Sequence, residues 1–185
     1  MNNINVAVII GSNRKESFTK KIALNLEKLA AQELKFNFVD ISKLSFYDQD
    51  LEESGKEPLN WIEFREEIAK SDAVLFLTPE YNRSMPAIIK NALDVGSRPY
   101  GKSVWNKLPG AIVSVSPGGL GAFGANHHLR QVLTFLNVPT MQQPEAYIGS
   151  VYTLLDEKGN LNNEDTKKYL KNFIDNFLIW INKNK

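Results

Sequence analysis

Cysteine is absent from the 185 residues of this chain. Its absence excludes disulfides, thiolate metal sites and cysteine nucleophiles, and it is compatible with a reducing compartment. An excess of either charge is also lacking, because 22 Lys and Arg balance 21 Asp and Glu and leave a net charge of +1. Such a chain has no overall field that would attract nucleic acid or an anionic membrane. We therefore expect neither partner.

Long apolar runs are missing as well. No segment approaches the roughly 18 apolar residues that suggest a membrane span. The apolar run over residues 4–10 has no basic region before it and no cleavage-type end. The sequence therefore predicts a cytoplasmic protein. With 43% hydrophobic and 23% charged residues, values that are ordinary for globular chains, we expect one domain over residues 1–185 with its own core.

Apolar runs and amphipathic segments alternate along the chain. Buried strands are predicted at residues 4–10, 35–41, 72–78 and 110–116, with a short one within 146–152. Helices are predicted at residues 17–34, 61–71, 86–95 and 126–137 and around Leu170–Ile181, and residues 42–60 are predicted to form a long loop. Parallel strands need such helical crossovers, so the pattern predicts an α/β fold with an open, doubly wound, five-stranded parallel sheet and helices on both faces.

Three unusual loops follow predicted strands. They read GSNRKES (11–17), TPEYNRS (78–84) and SPGGLGAFG (116–124). In doubly wound sheets, ligands bind beyond the carboxyl ends of the strands. We therefore expect these three loops to lie together and to form the functional site.

The first loop has the parts of a phosphate site. Ser12, Ser17 and Thr19 supply hydroxyls, Arg14 supplies a forked cation, and the loop leads into a helix N-terminus. Neither the P-loop pattern nor the dinucleotide fingerprint is present in this segment. A polar loop with a capping serine is the alternative interpretation.

The third loop matches G-x-G-x-x-G over Gly119–Gly124, but it follows the fourth strand rather than the first. The acidic residue expected about 20 positions later in an NAD site is not evident, since Glu145 is the only acid in range. We favour a different role, in which Gly118 and Gly119 let the backbone approach a flat ligand. Purely structural turn glycines remain an open alternative.

The second loop suits a planar ring. Tyr81 offers an aromatic face, Asn82 can donate and accept, and turn amides can reach acceptors on a ring edge. Glu80 is expected to be a solvated charge or a helix-end partner rather than a general base. A ring-binding turn beside a phosphate loop indicates a phosphorylated, ring-bearing ligand, and FMN fits this description.

No metal site and no catalytic side chain are predicted. His127 and His128 are adjacent, so on a helix they point in different directions and do not jointly bind a metal in a simple way. If a cofactor carries the chemistry, the protein needs only to bind, orient and tune it. That interpretation explains why the sequence has no evident acid–base constellation.

The chain resembles the NADPH-dependent FMN reductase family of flavodoxin-like proteins, which has azo-, quinone- and chromate-reducing members. The resemblance rests on GSNRKESFTKKIA, PEYNRSMPAIIKNALDVGSR and SVSPGGLGAFGANHHLRQVL and, with FYDQDLE and PEAYIG, spans nearly the whole chain. It implies FMN phosphate contacts from Ser12, Arg14, Ser17, Phe18 and Thr19, ring contacts from Pro79, Glu80, Tyr81 and Asn82, and further contacts from Ser116, Gly118 and Gly119. It also implies a homodimer or homotetramer.

Two functional classes follow. The first is an oxidoreductase that takes hydride from NADPH or NADH onto FMN and reduces a flavin, quinone, azo compound or metal oxyanion, all small-molecule acceptors. The second is a flavodoxin-type electron carrier without substrate turnover of its own. The near-neutral charge favours the enzyme, because electron carriers often steer to partners with a strongly charged face.

Overall fold

A five-stranded sheet organises the chain in the computed structural model, which describes residues 3–185. Its strands are β1 (Ile4–Ile10), β2 (Leu34–Val39), β3 (Ala73–Thr78), β4 (Gly110–Val115) and β5 (Ala146–Ile148). Every neighbouring pair is parallel, and the order is β2-β1-β3-β4-β5. This is the flavodoxin-type order of a doubly wound sheet. The predicted fold class is therefore confirmed.

Helices cover both faces of the sheet. They are α1 (Phe18–Leu29), α2 (Gln49–Glu53), α3 (Leu59–Ala69), α4 (Ala87–Gly96), α5 (Phe123–Phe135) and α6 (Glu164–Asn184). Helices α1 and α6 pack on one face, and α3, α4 and α5 pack on the other. Within residues 3–185, none of these helices combines the length and apolarity that a bilayer crossing needs.

The strands alternate between two apolar cores. In β1, Val6 and Val8 join the core under α1 and α6, whereas Ala7 and Ile9 join the core under the other helices. All four are fully buried. A strand buried on both faces reads as a continuous apolar run, which is why the sequence pattern of the central strands predicted their burial correctly.

Several element boundaries differ from the prediction. Helix α1 ends at Leu29 rather than near residue 34, because Ala30 is extended while its amide still bonds to the Leu26 carbonyl. Helix α5 begins at Phe123, three residues earlier than predicted. The predicted long loop contains α2, which starts where the Asp48 carboxylate accepts a hydrogen bond from the Asp50 amide at 2.9 Å. Helix α4 follows Pro86 as expected, although Pro86 itself is the N-cap.

Candidate functional site

The loops after β1, β3 and β4 meet at the carboxyl edge of the sheet. They enclose a cavity of about 180 Å³. Nine of the twelve predicted site residues line it: Ser12, Arg14, Ser17, Phe18, Thr19, Pro79, Glu80, Tyr81 and Ser116. Asn82, Gly118 and Gly119 lie outside it, in the same loops, and Val115 and Pro117 line it without having been predicted. The position of Val115 at the end of β4 was the sequence signal that could have indicated it.

The N-terminus of α1 presents two amides without partners. The Ser17 hydroxyl accepts a hydrogen bond from the Lys20 amide at 3.2 Å, and the Ser17 carbonyl accepts one from the Lys21 amide. The amides of Phe18 and Thr19 have no acceptor within residues 3–185. The first N–H groups of a helix need an external acceptor, and the helix dipole favours an anion there. This corner of the cavity therefore suits a phosphate.

Arg14 supplies an exposed positive charge beside those amides. No carboxylate of the described chain lies within ion-pairing distance of its guanidinium. The nearby Glu16 pairs instead with Lys21 at 2.7 Å, and this hydrogen bond and charge lower the pKa of the Glu16 carboxyl. Arg14 is therefore available for an anionic ligand.

The loop after β3 closes into a tight turn. The Tyr81 and Ser84 amides each donate to the other residue's carbonyl at 3.0 Å. Between them, Asn82 and Arg83 both adopt positive φ, 50° and 65°, as the central residues of a type I′ turn do. The Tyr81 amide is thus occupied. In the part of the chain that the structure describes, the Asn82 and Arg83 amides have no acceptor.

Glu80 connects this turn to α5. Its Oε2 accepts a hydrogen bond from the Ala125 amide at 3.0 Å, and its Oε1 lies 3.6 Å from Arg83. Ala125 is in the first turn of α5, where a carboxylate is favourable. Of the two roles predicted for Glu80, the helix-end partner is the one found. Its carboxylate is thus engaged within the protein.

The glycine loop after β4 has two structural glycines and one open edge. A Cβ on Gly124 would lie 3.0 Å from the Arg83 carbonyl oxygen. Gly121 has a φ of 59°, and a Cβ there would lie 2.7 Å from the Tyr147 carbonyl carbon. A Cβ on Gly119 would meet nothing within 4 Å, and one on Gly118 would meet only the Ser116 hydroxyl at 3.4 Å. The fold alone therefore explains the two structural glycines but not Gly118 and Gly119, as expected if a ligand approaches the latter two.

An aromatic cluster lies beside the glycine loop. The Phe123 ring centroid is 4.2 Å from that of His127 and 5.3 Å from that of Tyr147. His127 Nε2 and the Tyr147 hydroxyl are 3.1 Å apart. Burial and the nearby Glu145 raise the pKa of Tyr147. The sequence did not indicate this cluster, because β5 places Tyr147 next to α5 only in the folded chain.

The two adjacent histidines point apart. His127 contacts Tyr147, while His128 Nδ1 lies 3.0 Å from the Ser84 hydroxyl in the turn after β3. Each imidazole thus has a separate hydrogen-bond partner. This divergence is the one expected for neighbouring residues on a helix.

The donor set of the site fits FMN. Two unpaired amides and a free guanidinium suit its phosphate. The open backbone at Gly119 allows a flat ring to approach the loop after β4. The two amides and the guanidinium suit one phosphate group, as a mononucleotide carries.

Comparison with known proteins gives the family. The family model described as NADPH-dependent FMN reductase matches residues 4–153. The chain belongs to this family. Membership in the NADPH-dependent FMN reductase family confirms the expected oxidoreductase activity with FMN and NAD(P)H as cofactors. The alternative of an electron carrier without turnover gains no support.

Similar proteins cover almost the whole chain. A quinone reductase of Pseudomonas putida is 52% identical over 180 residues, which are 97% of this chain and 96% of that protein. A 2-hydroxy-1,4-benzoquinone reductase of Burkholderia is 44% identical, with 96% of each chain covered. The structure of the flavoenzyme NAD(P)H:(acceptor) oxidoreductase FerB from Paracoccus denitrificans superposes with a TM-score of 0.92 at 40% identity and covers 98% of each chain.

Proposed function

We propose that this family member is an FMN-dependent NAD(P)H:quinone oxidoreductase. The observation that carries the assignment of the site is the pair of unpaired amides at Phe18 and Thr19 beside the free Arg14 guanidinium. The names of the two relatives, a quinone reductase and a 2-hydroxy-1,4-benzoquinone reductase, support a quinone as acceptor. Both cover nearly all of the chain.

We assign the FMN phosphate to the first loop. Ser12, Arg14, Ser17, Phe18 and Thr19 would hold it, the last two through their amides. A cavity of about 180 Å³ is smaller than the ~300–1,000 Å³ of a site that encloses a whole drug-sized ligand. It therefore suits the phosphate-bearing end of FMN, and the ring belongs at the mouth of the cavity.

We assign the ring to the other two loops. Pro79, Glu80, Tyr81 and Asn82 would border one side of it, and Ser116, Gly118 and Gly119 the other. Within the turn after β3, the free amides of Asn82 and Arg83 are the donors available to a ring edge. The backbone, rather than ionisable side chains, would therefore orient the ring.

Bound FMN would supply the redox chemistry by accepting hydride from NAD(P)H and delivering two electrons to the quinone. The chain's own groups would fix its position, and we propose that one face of the ring would stay accessible from the mouth of the cavity. Glu80 is bound to the N-terminus of α5, so we assign it no proton transfer. The donor and the quinone would use the open face in turn, and a flat molecule on that face excludes the other.

We also propose that the chain acts as one cytoplasmic domain over residues 1–185 and assembles into a dimer or tetramer. The side chains of Phe46 and Tyr100 are 74% and 90% exposed. Their loops are joined, because Arg98 donates to Glu52 at 2.9 Å and lies over the Tyr47 ring. Exposed aromatic side chains on adjoining loops are suited to a subunit interface. A cytoplasmic location is consistent with consumption of NAD(P)H.

Flavin analysis and turnover test the proposal together. Heating the purified protein should release FMN, identified by chromatography, and the FMN-saturated protein should oxidise NADH or NADPH several times per site when benzoquinone is supplied. Flavin-free protein should not turn over. Release of FAD, failure to bind added FMN, or no quinone-dependent oxidation would contradict it.

A further inference from the structure

A second and larger cavity lies on the other side of the first loop. It measures about 570 Å³ and opens between the carboxyl ends of β1 and β2 and the outer side of α1. Ser12 and Arg14 line both this cavity and the smaller one. The two cavities therefore share the first loop as a common wall. None of the roles assigned above uses the larger one, which we call the β2 groove.

One wall of the β2 groove is positively charged. Besides Arg14, it carries Lys15 and Lys20, both exposed. Neither lysine forms an ion pair with a carboxylate in residues 3–185, whereas the neighbouring Lys21 is held by Glu16. Two unpaired ammonium groups in a concave wall suit a ligand with two negative charges close together, such as a diphosphate.

The opposite wall carries one fixed carboxylate. Asp40 directly follows β2, and its Oδ1 accepts a hydrogen bond from the Ser42 amide at 2.8 Å. The Ser42 hydroxyl and amide hold the pKa of Asp40 below its usual range, and the carboxyl is ionised at neutral pH as an Asp side chain ordinarily is. Asp40 is exposed, so its carboxylate remains accessible to a ligand. An ionised carboxylate that follows a strand of a parallel sheet can accept hydrogen bonds from the hydroxyls of a ribose.

The groove also has apolar surface. Leu24 of α1 is 39% exposed, and Phe38 of β2 is only partly buried. Both line the cavity with Val8 and Ile10. Flat heterocycles such as purines bind against apolar and aromatic side chains of this kind. Groups suited to a diphosphate, a ribose and a purine thus line one cavity that adjoins the first loop.

We propose that the β2 groove binds the adenosine diphosphate half of the nicotinamide donor, with Asp40 on the adenosine ribose. Lys15 and Lys20 face the diphosphate, while Arg14 remains with the FMN phosphate. The donor would cross the first loop, with its nicotinamide end toward the flavin ring. A 2′-phosphate would place further negative charge beside Asp40, so the enzyme prefers NADH to NADPH. This inference rests on the proposed function for its choice of ligand.

Binding of adenosine fragments tests the groove without turnover. Calorimetric titrations of 5′-ADP, 2′,5′-ADP and inorganic pyrophosphate would be made on the flavin-free and the FMN-saturated protein. We expect 5′-ADP to bind about tenfold more tightly than either of the others, because a single charge-assisted hydrogen bond typically changes an affinity by about this factor. Pyrophosphate binding as tightly as 5′-ADP, or no binding of 5′-ADP, would overturn the proposal.

Three variants locate the site. Asp40→Asn should remove the preference for 5′-ADP over 2′,5′-ADP and lower the NADH:NADPH ratio of kcat/KM by about the same factor, roughly tenfold. Lys20→Gln should weaken both nucleotides, and Lys70→Gln, an exposed lysine at the end of α3, should weaken neither. An unchanged ratio in Asp40→Asn would remove Asp40 from the proposal. Failure of FMN binding with 5′-ADP binding intact would instead refute only the proposed function.

Discussion

Substitution of Arg14 tests whether this side chain binds the phosphate or the ring of FMN. In Arg14→Ala, the affinity for FMN should fall roughly 10- to 100-fold, since a charge-assisted hydrogen bond is worth about 1.5–3 kcal/mol. The affinity for riboflavin, which lacks the phosphate, should change little. Titrations of both flavins into flavin-free protein, followed by quenching of flavin fluorescence, measure the two values.

Arg83 provides a matched control for that variant. It is an exposed arginine in the loop after β3, and its guanidinium lies 3.6 Å from Glu80. Arg83→Ala should leave the ratio of FMN to riboflavin affinity unchanged. Equal losses for FMN and riboflavin in Arg14→Ala would assign Arg14 to the ring or to the fold instead.

Substitution of Gly119 tests whether a ligand approaches this position or whether the turn itself requires glycine. A methyl group there would touch no protein atom within 4 Å, and its φ is not in the left-handed region. Gly119→Ala should therefore keep or slightly raise the free energy of unfolding, by up to about 1 kcal/mol. The affinity for FMN should fall, because the added methyl group occupies the surface assigned to the ring. Unfolding in urea and flavin titration give the two quantities, and a less stable variant with normal affinity would refute the assignment.

Single residues were predictable as members of the site, but their partners were not. Strand-end position and residue type selected five of the residues that line the cavity, and the family resemblance added four more: Phe18, Pro79, Glu80 and Ser116. The hydrogen bond between the Glu80 carboxylate and the Ala125 amide joins residues 45 positions apart. Local patterns contain no information on such a contact. For the same reason, the sequence did not indicate that Tyr147 packs against Phe123.

At the scale of elements, Asn25 fixes α1 to the segment before α6. Its side-chain nitrogen donates to the Gly159 carbonyl at 2.9 Å, and its oxygen accepts from the Leu161 amide at 3.1 Å. Asn25→Ala would leave both buried backbone groups without partners. The free energy of unfolding should fall by about 1–3 kcal/mol. Urea denaturation measures the change, with Asn162→Ala, an exposed neighbour, as the control expected to differ little from wild type.

Element length decided which helices and strands the sequence predicted. Helix α6 has 21 residues, and its buried face, which includes Leu170, Phe173 and Phe177, repeats over several turns. Helix α2 has only five residues and buries none of them. A segment of that length shows no periodicity, so its start depends on the local Asp48 cap alone. The three-residue strand β5 was predicted only as lying somewhere within residues 146–152 for the same reason.

At the scale of the whole molecule, alternation of strands and helices predicts a parallel sheet but not its strand order. The order β2-β1-β3-β4-β5 depends on which side each crossover takes, and right-handed crossovers allow more than one arrangement. The sequence predicted no order, and the structure provides it. Because β1, β3 and β4 are neighbours in this order, the loops after these three strands meet at one place.

Steady-state kinetics with both substrates test the central claim, that one open ring face serves donor and quinone in turn. Initial rates would be measured while NADH is varied at several fixed concentrations of benzoquinone. If each flat molecule excludes the other, the oxidised donor leaves before the quinone binds, and double-reciprocal plots give parallel lines. Quinone at high concentration should then inhibit competitively with NADH. Converging lines, with inhibition patterns that require both substrates to be bound together, would contradict the account.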